Sequence, residues 1–381
     1  MQAKILFSYG KKVIDVTLNL NVPIIAIFEE LKGKLDMQGK ADDYILWHGK
    51  THPIVPVPIG SIGINKEKPI VVFILKKDFK TIDSYLNNYF PNLVAEALQA
   101  PKDGLYILSE LSRYYNIISF LNDPELKNAV DKVYPRALFE HLEPLEKLKQ
   151  ITNWFCTQFF QKYGIPPCHV CGQLTIYAGP APVIPDELGG HPLSAEIFKC
   201  PICGAATRYT KFTNPIVILM NHIGRELEHC LGLASILKYS GFQFRFVLID
   251  LKFHILEVYI PSMKRYVSVD PYVNRIDCPL LYECACNHDV TWAIAYSEKE
   301  CVDVSTRYVY NRNEFNARRY KLDYSDWLTK ALSFKHQVLI HGASDSFKQT
   351  IRNDKETLFD EKEPTDNELI NPFDNSFVPL H

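Results

Sequence analysis

The sequence predicts a mixed α+β protein of more than one folded unit. Three observations carry this: short stretches of alternating apolar residues that read as strands, other stretches with apolar residues at helical spacing, and a length of 381 residues, more than one hydrophobic core ordinarily serves. With 47% hydrophobic and 23% charged residues, the composition is that of a soluble globular chain. Lys plus Arg number 42 against 44 Asp plus Glu, so charge offers no reason to expect nucleic acid or an anionic membrane as the main partner.

The elements follow in order. Residues 3–9 and 13–20 alternate around a turn at Gly10 and read as a hairpin. Residues 22–35 carry helical spacing, and residues 44–47 and 70–75 return to strand chemistry. This ββαββ order over residues 1–77 resembles a ubiquitin-like β-grasp domain, a resemblance of layout. No Gly-Gly ends the segment, so docking rather than conjugation is the role it implies. Residues 78–163 read as a helical layer, from patterns such as Leu93-Val94-Ala97-Leu98 and Leu142-Leu145-Leu148-Ile151 punctuated by prolines. A core of residues 164–342 then holds two CxxC pairs, a helix over 226–239 and strands over 244–251, 255–260 and 266–269. From 343 to 381 acidic and amide residues increase without regular apolar spacing, and an extended, mostly disordered tail is expected. Asn371-Pro372-Phe373 in that tail is a three-residue match to a peptide ligand, of the kind chance supplies.

The opening residues lack the charged start, apolar stretch and cleavage site of a secretory signal. No run of about 18 apolar residues suggests a membrane span. Ten cysteines in a long chain without an export signal fit a reducing compartment, cytoplasmic or nuclear.

Cys168-His-Val-Cys171-Gly172 and Cys200-Pro-Ile-Cys203-Gly204 are two knuckles of one form. Each places two thiols on a tight turn, with a glycine that lets the backbone fold back. Together they offer four thiolates, the ligand set of one structural Zn2+ without an open coordination position. His169 lies between ligands and is read as a solvent-side residue. Cys278, Cys284 and Cys286, which lack a matching second pair, are read as free thiols.

From Trp154 to Tyr308 the chain resembles the cytoplasmic peptide:N-glycanases, peptide-N4-(N-acetyl-beta-glucosaminyl)asparagine amidases of the transglutaminase-like superfamily. The resemblance rests on anchors in order: both CxxC pairs, Arg208-Tyr209, Gly224-Arg225, Glu228, Arg245-Phe246, Glu257-Val258-Tyr259, Asp270-Pro271, Pro279-Leu280-Leu281-Tyr282-Glu283 and Arg307-Tyr308. It implies a transglutaminase-like, papain-like core whose nucleophilic Cys, basic His and orienting Asp release N-glycans from misfolded glycoproteins. It also implies association with ubiquitin-receptor or proteasome-linked proteins in endoplasmic-reticulum-associated degradation.

Two of the three catalytic positions depart from that pattern. After Gly224-Arg225 the nucleophile position holds Glu226, and the base position holds Phe253. Only Asp270 is kept. A carboxylate does not replace a thiolate in amide attack, and phenylalanine carries no proton. Cys230, one helical turn beyond Glu226, and His254, beside Phe253, are the residues through which a displaced site could work. The reading is therefore a catalytically inactive homologue, a pseudoenzyme that binds N-glycoprotein or glycan. The alternatives are an active amidase using Cys230, His254 and Asp270, and a non-catalytic DNA-repair scaffold of the same fold.

Overall fold

The computed structural model describes residues 2–9, 12–48, 50–62, 70–76, 101–358, 360 and 363–373, and the chain divides into two units, residues 1–100 and 101–381. The helical pattern around Leu93 to Leu98 lies outside the described residues.

In the first unit β1 (Gln2–Tyr9) and β2 (Lys12–Asn19) form the expected hairpin, and α1 (Ile24–Lys34) follows. Ala3, Ile5 and Phe7 alternate into the core, while α1 turns Ile24, Ile27, Phe28 and Leu31 inward at the spacing of one helical face. β3 (Tyr44–His48), β4 (Lys50–Pro53) and β5 (Ile70–Lys76) complete a sheet of order β2-β1-β5-β3-β4. β1 and β5 run parallel at its centre; the other pairs are antiparallel. β4 has no counterpart in the sequence reading, because Lys-Thr-His-Pro carries no alternation to announce it.

The second unit opens with helices α2 (Lys102–Ile118), α3 (Leu126–Val133) and α4 (Pro144–Trp154). After a two-residue strand β6 (Gln161–Lys162), a three-stranded antiparallel sheet follows, β7 (Ile176–Ala181), β8 (Pro192–Lys199) and β9 (Ala206–Phe212). Next come α5 (Pro215–Asn221), the short β10 (Ile223–Gly224), which pairs with β6, and α6 (Glu226–Tyr239).

A six-stranded antiparallel sheet then forms the centre of the unit. Its strands are β11 (Phe244–Ile249), β12 (Phe253–Ile260), β13 (Arg265–Asp270), β14 (Arg275–Ile276), β15 (Ala293–Ser297) and β16 (Glu300–Asp303), in the order β14-β13-β12-β11-β15-β16. Every residue of α6 from Leu227 to Leu237 is buried. Such a helix shows no polar stripe because it is enclosed on all sides. At Gly232 an added Cβ would lie 2.9 Å from the Phe155 ring, so only glycine lets the aromatic layer after α4 approach this helix. One face of the sheet presents Phe246, Leu248, Leu256, Val258, Val267 and Val269 to the cluster that includes α6; the other presents Val247, Ile249, Phe253 and Ile255 to a second cluster.

A one-turn helix α7 (Leu281–Cys284) lies between β14 and β15, and the chain closes with α8 (Arg312–Tyr320), α9 (Ser325–His341), α10 (Asp345–Thr357) and α11 (Asp366–Leu369). The extended tail expected from residue 343 is corrected here. α10 buries Phe347, Thr350, Ile351 and Asp354, and Glu368 of α11 accepts a hydrogen bond from the Leu280 backbone N–H at 2.8 Å. Asp354 explains the helix. Its carboxylate enters a buried cluster in which Arg245 donates to Glu257 at 2.6 Å, Glu300 at 3.0 Å and Asp354 at 2.8 Å, while Arg307 donates to Glu257 at 2.6 Å and Asp354 at 2.5 Å. Composition counts Asp354 as a solvated charge; the fold pairs it with arginines 109 and 47 positions away.

Candidate functional site

The two knuckles come together as the sequence expects. Gly172 and Gly204 sit at φ of +72° and +75°, the left-handed region that favours glycine, and their N–H groups return to the carbonyls of Cys168 and Cys200 at 2.9 and 3.0 Å. The four sulfurs all lie within 4.8 Å of one another. Sγ–Sγ separations are 3.5 Å for Cys168 and Cys203, 3.5 Å for Cys171 and Cys200, and 3.6 Å for Cys171 and Cys203. A tetrahedron with metal–sulfur bonds of about 2.3 Å has edges of about 3.8 Å, so the four thiols fit one closed metal site. Hydrogen bonds from the backbone N–H groups of Cys171 and Val170 bring the Cys168 thiol down to about 6.

This hairpin is tied to the start of α6. Glu228, in the first turn, accepts from its own helix's Arg225 N–H at 2.9 Å, from the Phe212 N–H of β9 at 3.0 Å, and from the Tyr209 hydroxyl. Arg225 donates to both oxygens of Glu196 on β8, at 3.0 and 2.5 Å, a two-pronged pair. Tyr163 stacks on Tyr209 with centroids 3.6 Å apart.

The three positions of the expected triad fall at element ends. Glu226 is the first residue of α6, Phe253 the first of β12 and Asp270 the last of β13. Burial and the nearby Asp270 carboxylate raise the Glu226 carboxyl to about 8. The Phe253 ring packs on Tyr282 with centroids 4.3 Å apart, and the Tyr282 hydroxyl donates to Asp270 Oδ2 at 2.6 Å. Asp270 Oδ1 accepts from the Tyr272 and Val273 N–H groups at 3.0 and 3.3 Å. The carboxylate is thus satisfied inside the fold with no imidazole beside it.

The residues considered for a displaced site do not assemble one. Cys230 is fully buried, burial pushes its thiol well above the ordinary value, and its Sγ meets the His254 carbonyl at 3.2 Å rather than the imidazole. His254 lies on the opposite face from Phe253, edge-on to Tyr114 at 4.7 Å, and burial drives its pKa down to about 3. His229 bonds the Arg225 carbonyl at 2.9 Å.

With this geometry in view, comparison with known proteins is informative. The family model for the Rad4 transglutaminase-like domain matches residues 252–357. Peptide-N(4)-(N-acetyl-beta-glucosaminyl)asparagine amidases of Caenorhabditis briggsae and Arabidopsis thaliana are 28% and 27% identical over 239 and 240 residues, covering 60% and 58% of this chain. That of Gallus gallus is 34% identical over 182 residues, 46% of this chain. The chain is similar to the peptide:N-glycanases over 46–60% of its length, and part of it matches a transglutaminase-like domain. It matches only 39%, 33% and 27% of the lengths of those three relatives. Among solved structures it is similar to Rad4 in Rad4-Rad23 bound to a 6-4 photoproduct UV lesion, at TM-score 0.42 and 16% identity over 70% of this chain and 60% of that one. Rad4-Rad23 crosslinked to undamaged DNA gives TM-score 0.43 and 15% identity, over 66% and 57%.

The sequence reading of this glycanase relative missed two groups. Arg245, Glu257, Arg307 and Tyr308 served only as anchors of resemblance, yet they form one buried polar cluster with Asp354 and Glu300. Tyr282 is the second. It lies 12 residues past Asp270, a separation that carries no sequence signal of the contact. Cys278, Cys284 and Cys286 form no metal group among the described residues.

Proposed function

We propose that this protein is a catalytically inactive peptide:N-glycanase relative that binds N-glycoprotein or glycan in quality control of misfolded glycoproteins. One observation carries the reading: the place of the nucleophile holds a carboxyl and the place of the base holds a phenyl ring, while Asp270 keeps its position through Tyr282 and two backbone N–H groups. Amide hydrolysis needs a thiolate and a proton acceptor within reach of one carbonyl carbon. Glu226 supplies no thiolate, and Phe253 accepts no proton. Cys230 and His254, both buried, with the Cys230 thiol on the His254 carbonyl and not its imidazole, do not support the displaced amidase. The net charge of -2 does not favour the DNA-repair scaffold.

On this reading the four cysteines hold one structural Zn2+, whose ligand shell they fill, and the metal supplies stability rather than chemistry. The β2-β1-β5-β3-β4 sheet with α1 supports a ubiquitin-like first unit, suited to docking ubiquitin-receptor or proteasome-linked proteins of endoplasmic-reticulum-associated degradation. Cytoplasmic or nuclear placement agrees with these roles. Among the described residues no helix is long and apolar enough to cross a membrane.

The test is twofold. Incubation of zinc-loaded protein with a denatured high-mannose glycoprotein should leave the glycan attached, read as an unchanged gel mobility and mass. Calorimetric titration with the free high-mannose glycan or the glycopeptide should show saturable binding. Glycan release at an enzyme-like rate sinks the reading, as does absence of binding to either ligand.

A further inference from the structure

The second unit holds a cavity of about 540 Å³ where the end of α2, the last turn of α6, the start of β11, the turn between β15 and β16 and the start of α10 meet. Its apolar lining consists of the buried Ile118, Leu121, Phe246 and Phe347 and the half-buried Phe242 and Phe244. Small-molecule sites measure about 300–1,000 Å³ and combine such rings and aliphatic chains with a few polar groups. This cavity has that size and that lining. It is separate from the position of the missing nucleophile: it meets α6 at Lys238, whereas Glu226 opens the helix, about 18 Å away along the axis.

The charges around the cavity select the ligand. Lys238 donates to the Leu121 carbonyl at 2.6 Å and to Asn122 Oδ1 at 2.8 Å, both neutral oxygens, and among the described residues it forms no ion pair. An ammonium carries three N–H groups, so one remains. Burial lowers the Lys238 pKa, a penalty that an anion beside it offsets. Two further cations lie close: Lys299 over the Phe347 ring at 5.6 Å and Lys147 over the Phe242 ring at 5.7 Å. Against them the lining sets one carboxylate, Glu298, which attracts Lys238 from a distance and accepts from the Asn122 amide. The surplus is positive. No arginine is among the lining residues, and a phosphate dianion, with three acceptor oxygens and Glu298 to repel it, finds too few donors. A single carboxylate matches the one ammonium N–H left over.

We propose that this cavity binds a small amphipathic acid, with its apolar body between the Phe242, Phe244 and Phe347 rings and its carboxylate on Lys238. The rings supply the buried area, and the ammonium fixes which end of the ligand faces Leu121 and Asn122. The inference does not rest on the glycoprotein-binding reading; it concerns a second site.

The experiment is calorimetric titration of the zinc-loaded full chain with octanoate, 1-octanol and octyl phosphate, each below the concentration at which it self-associates. Octanoate should bind saturably at one site. 1-Octanol should bind at least about tenfold more weakly, because it forms no charge-assisted hydrogen bond, and octyl phosphate no more tightly than octanoate. Lys238→Gln should weaken octanoate binding at least about tenfold and leave 1-octanol unchanged; Lys238→Arg, which keeps the charge, should restore most of the octanoate affinity. Far-ultraviolet circular dichroism checks the fold of each variant. Should Lys238→Gln disturb the end of α6, Ser346→Trp fills the cavity from an exposed position, leaves the Lys238 bonds in place and should abolish octanoate binding. Absence of saturable octanoate binding, equal affinity for 1-octanol, tighter binding of octyl phosphate, or unchanged octanoate affinity in folded Lys238→Gln or Ser346→Trp overturns the proposal.

Discussion

Replacing Asp354 by alanine tests whether α10 belongs to the core. Asp354 Oδ2 accepts from Arg245 at 2.8 Å; Oδ1 accepts from Arg307 at 2.5 Å and from the Tyr266 N–H at 2.9 Å. Hydrogen bonds to charged groups contribute about 1.5–3 kcal/mol each, and a buried N–H left without an acceptor costs about 1–3 kcal/mol. One term opposes these losses. The cluster sets three carboxyls against two guanidiniums, and burial raises the Glu300 carboxyl; with Asp354 gone, Glu300 ionises more readily and recovers part of the attraction. The expected net loss is about 3–5 kcal/mol, the usual range for breaking a buried ion pair from one side. For a unit of this size that lowers Tm by roughly 6–20 °C, at about 2–4 °C per kcal/mol. Differential scanning calorimetry of the full chain measures it, and Asp354→Asn, which keeps one acceptor, should fall between. A solvated tail residue would change stability by no more than about 0.5 kcal/mol. A loss below about 1 kcal/mol would refute the placement of α10 in the core.

Three further outcomes follow from the site. Stripping the metal with a strong chelator should reduce far-ultraviolet circular dichroism and lower Tm, because β7 to β9 and the start of α6 lose their anchor; an unchanged spectrum with metal removal confirmed by atomic absorption would contradict the role given to the four cysteines. The Glu226 carboxyl is raised from 4.5 to about 8 by burial and Asp270, so its protonated form stabilises the fold. That stability is complete below about pH 4.5 and is lost as pH rises through about 8; Glu226→Gln should flatten this decline in urea titrations taken from pH 5 to 9, and an identical decline would count against the burial. Glu226→Cys and Phe253→His should each leave glycan release undetectable, whereas the double variant should show slow release by mass spectrometry, since nucleophile and base act as a unit. Release by either single variant would contradict the assignment of positions.

What could be read from the chain and what could not divides along a physical line. Cys168, Cys171, Cys200 and Cys203 were legible because each knuckle is local: two thiols and a left-handed glycine within five residues fix their own geometry. α6 was legible from its bounds, and α1 from its apolar stripe. Asp354 was not, because its partners Arg245 and Arg307 lie on other elements and a polar helix looks like solvated chain until its acceptor is placed. The faces of Phe253 and His254 followed from strand alternation. Tyr282 as the holder of Asp270 did not, since nothing in a twelve-residue separation tells that a hydroxyl returns to a strand end.

This division bears on why, on the proposed reading, a four-cysteine hairpin would persist beside a site without its nucleophile. Glu228 gathers an N–H of α6's own cap, an N–H of β9 and the hydroxyl of Tyr209 onto one carboxylate, and Arg225 clamps Glu196 across the same junction. The four cysteine sulfurs gather at the far end of those strands. Loss of a metal held there would free β8 and β9, release Glu228 into a buried position short of donors, and leave the start of α6 without its support. On the proposed reading Glu226 stands in place of a nucleophile at that helix's first residue with the fold intact. The cysteines cannot be exchanged so cheaply. Their hold on α6 is independent of any reaction carried out in front of it.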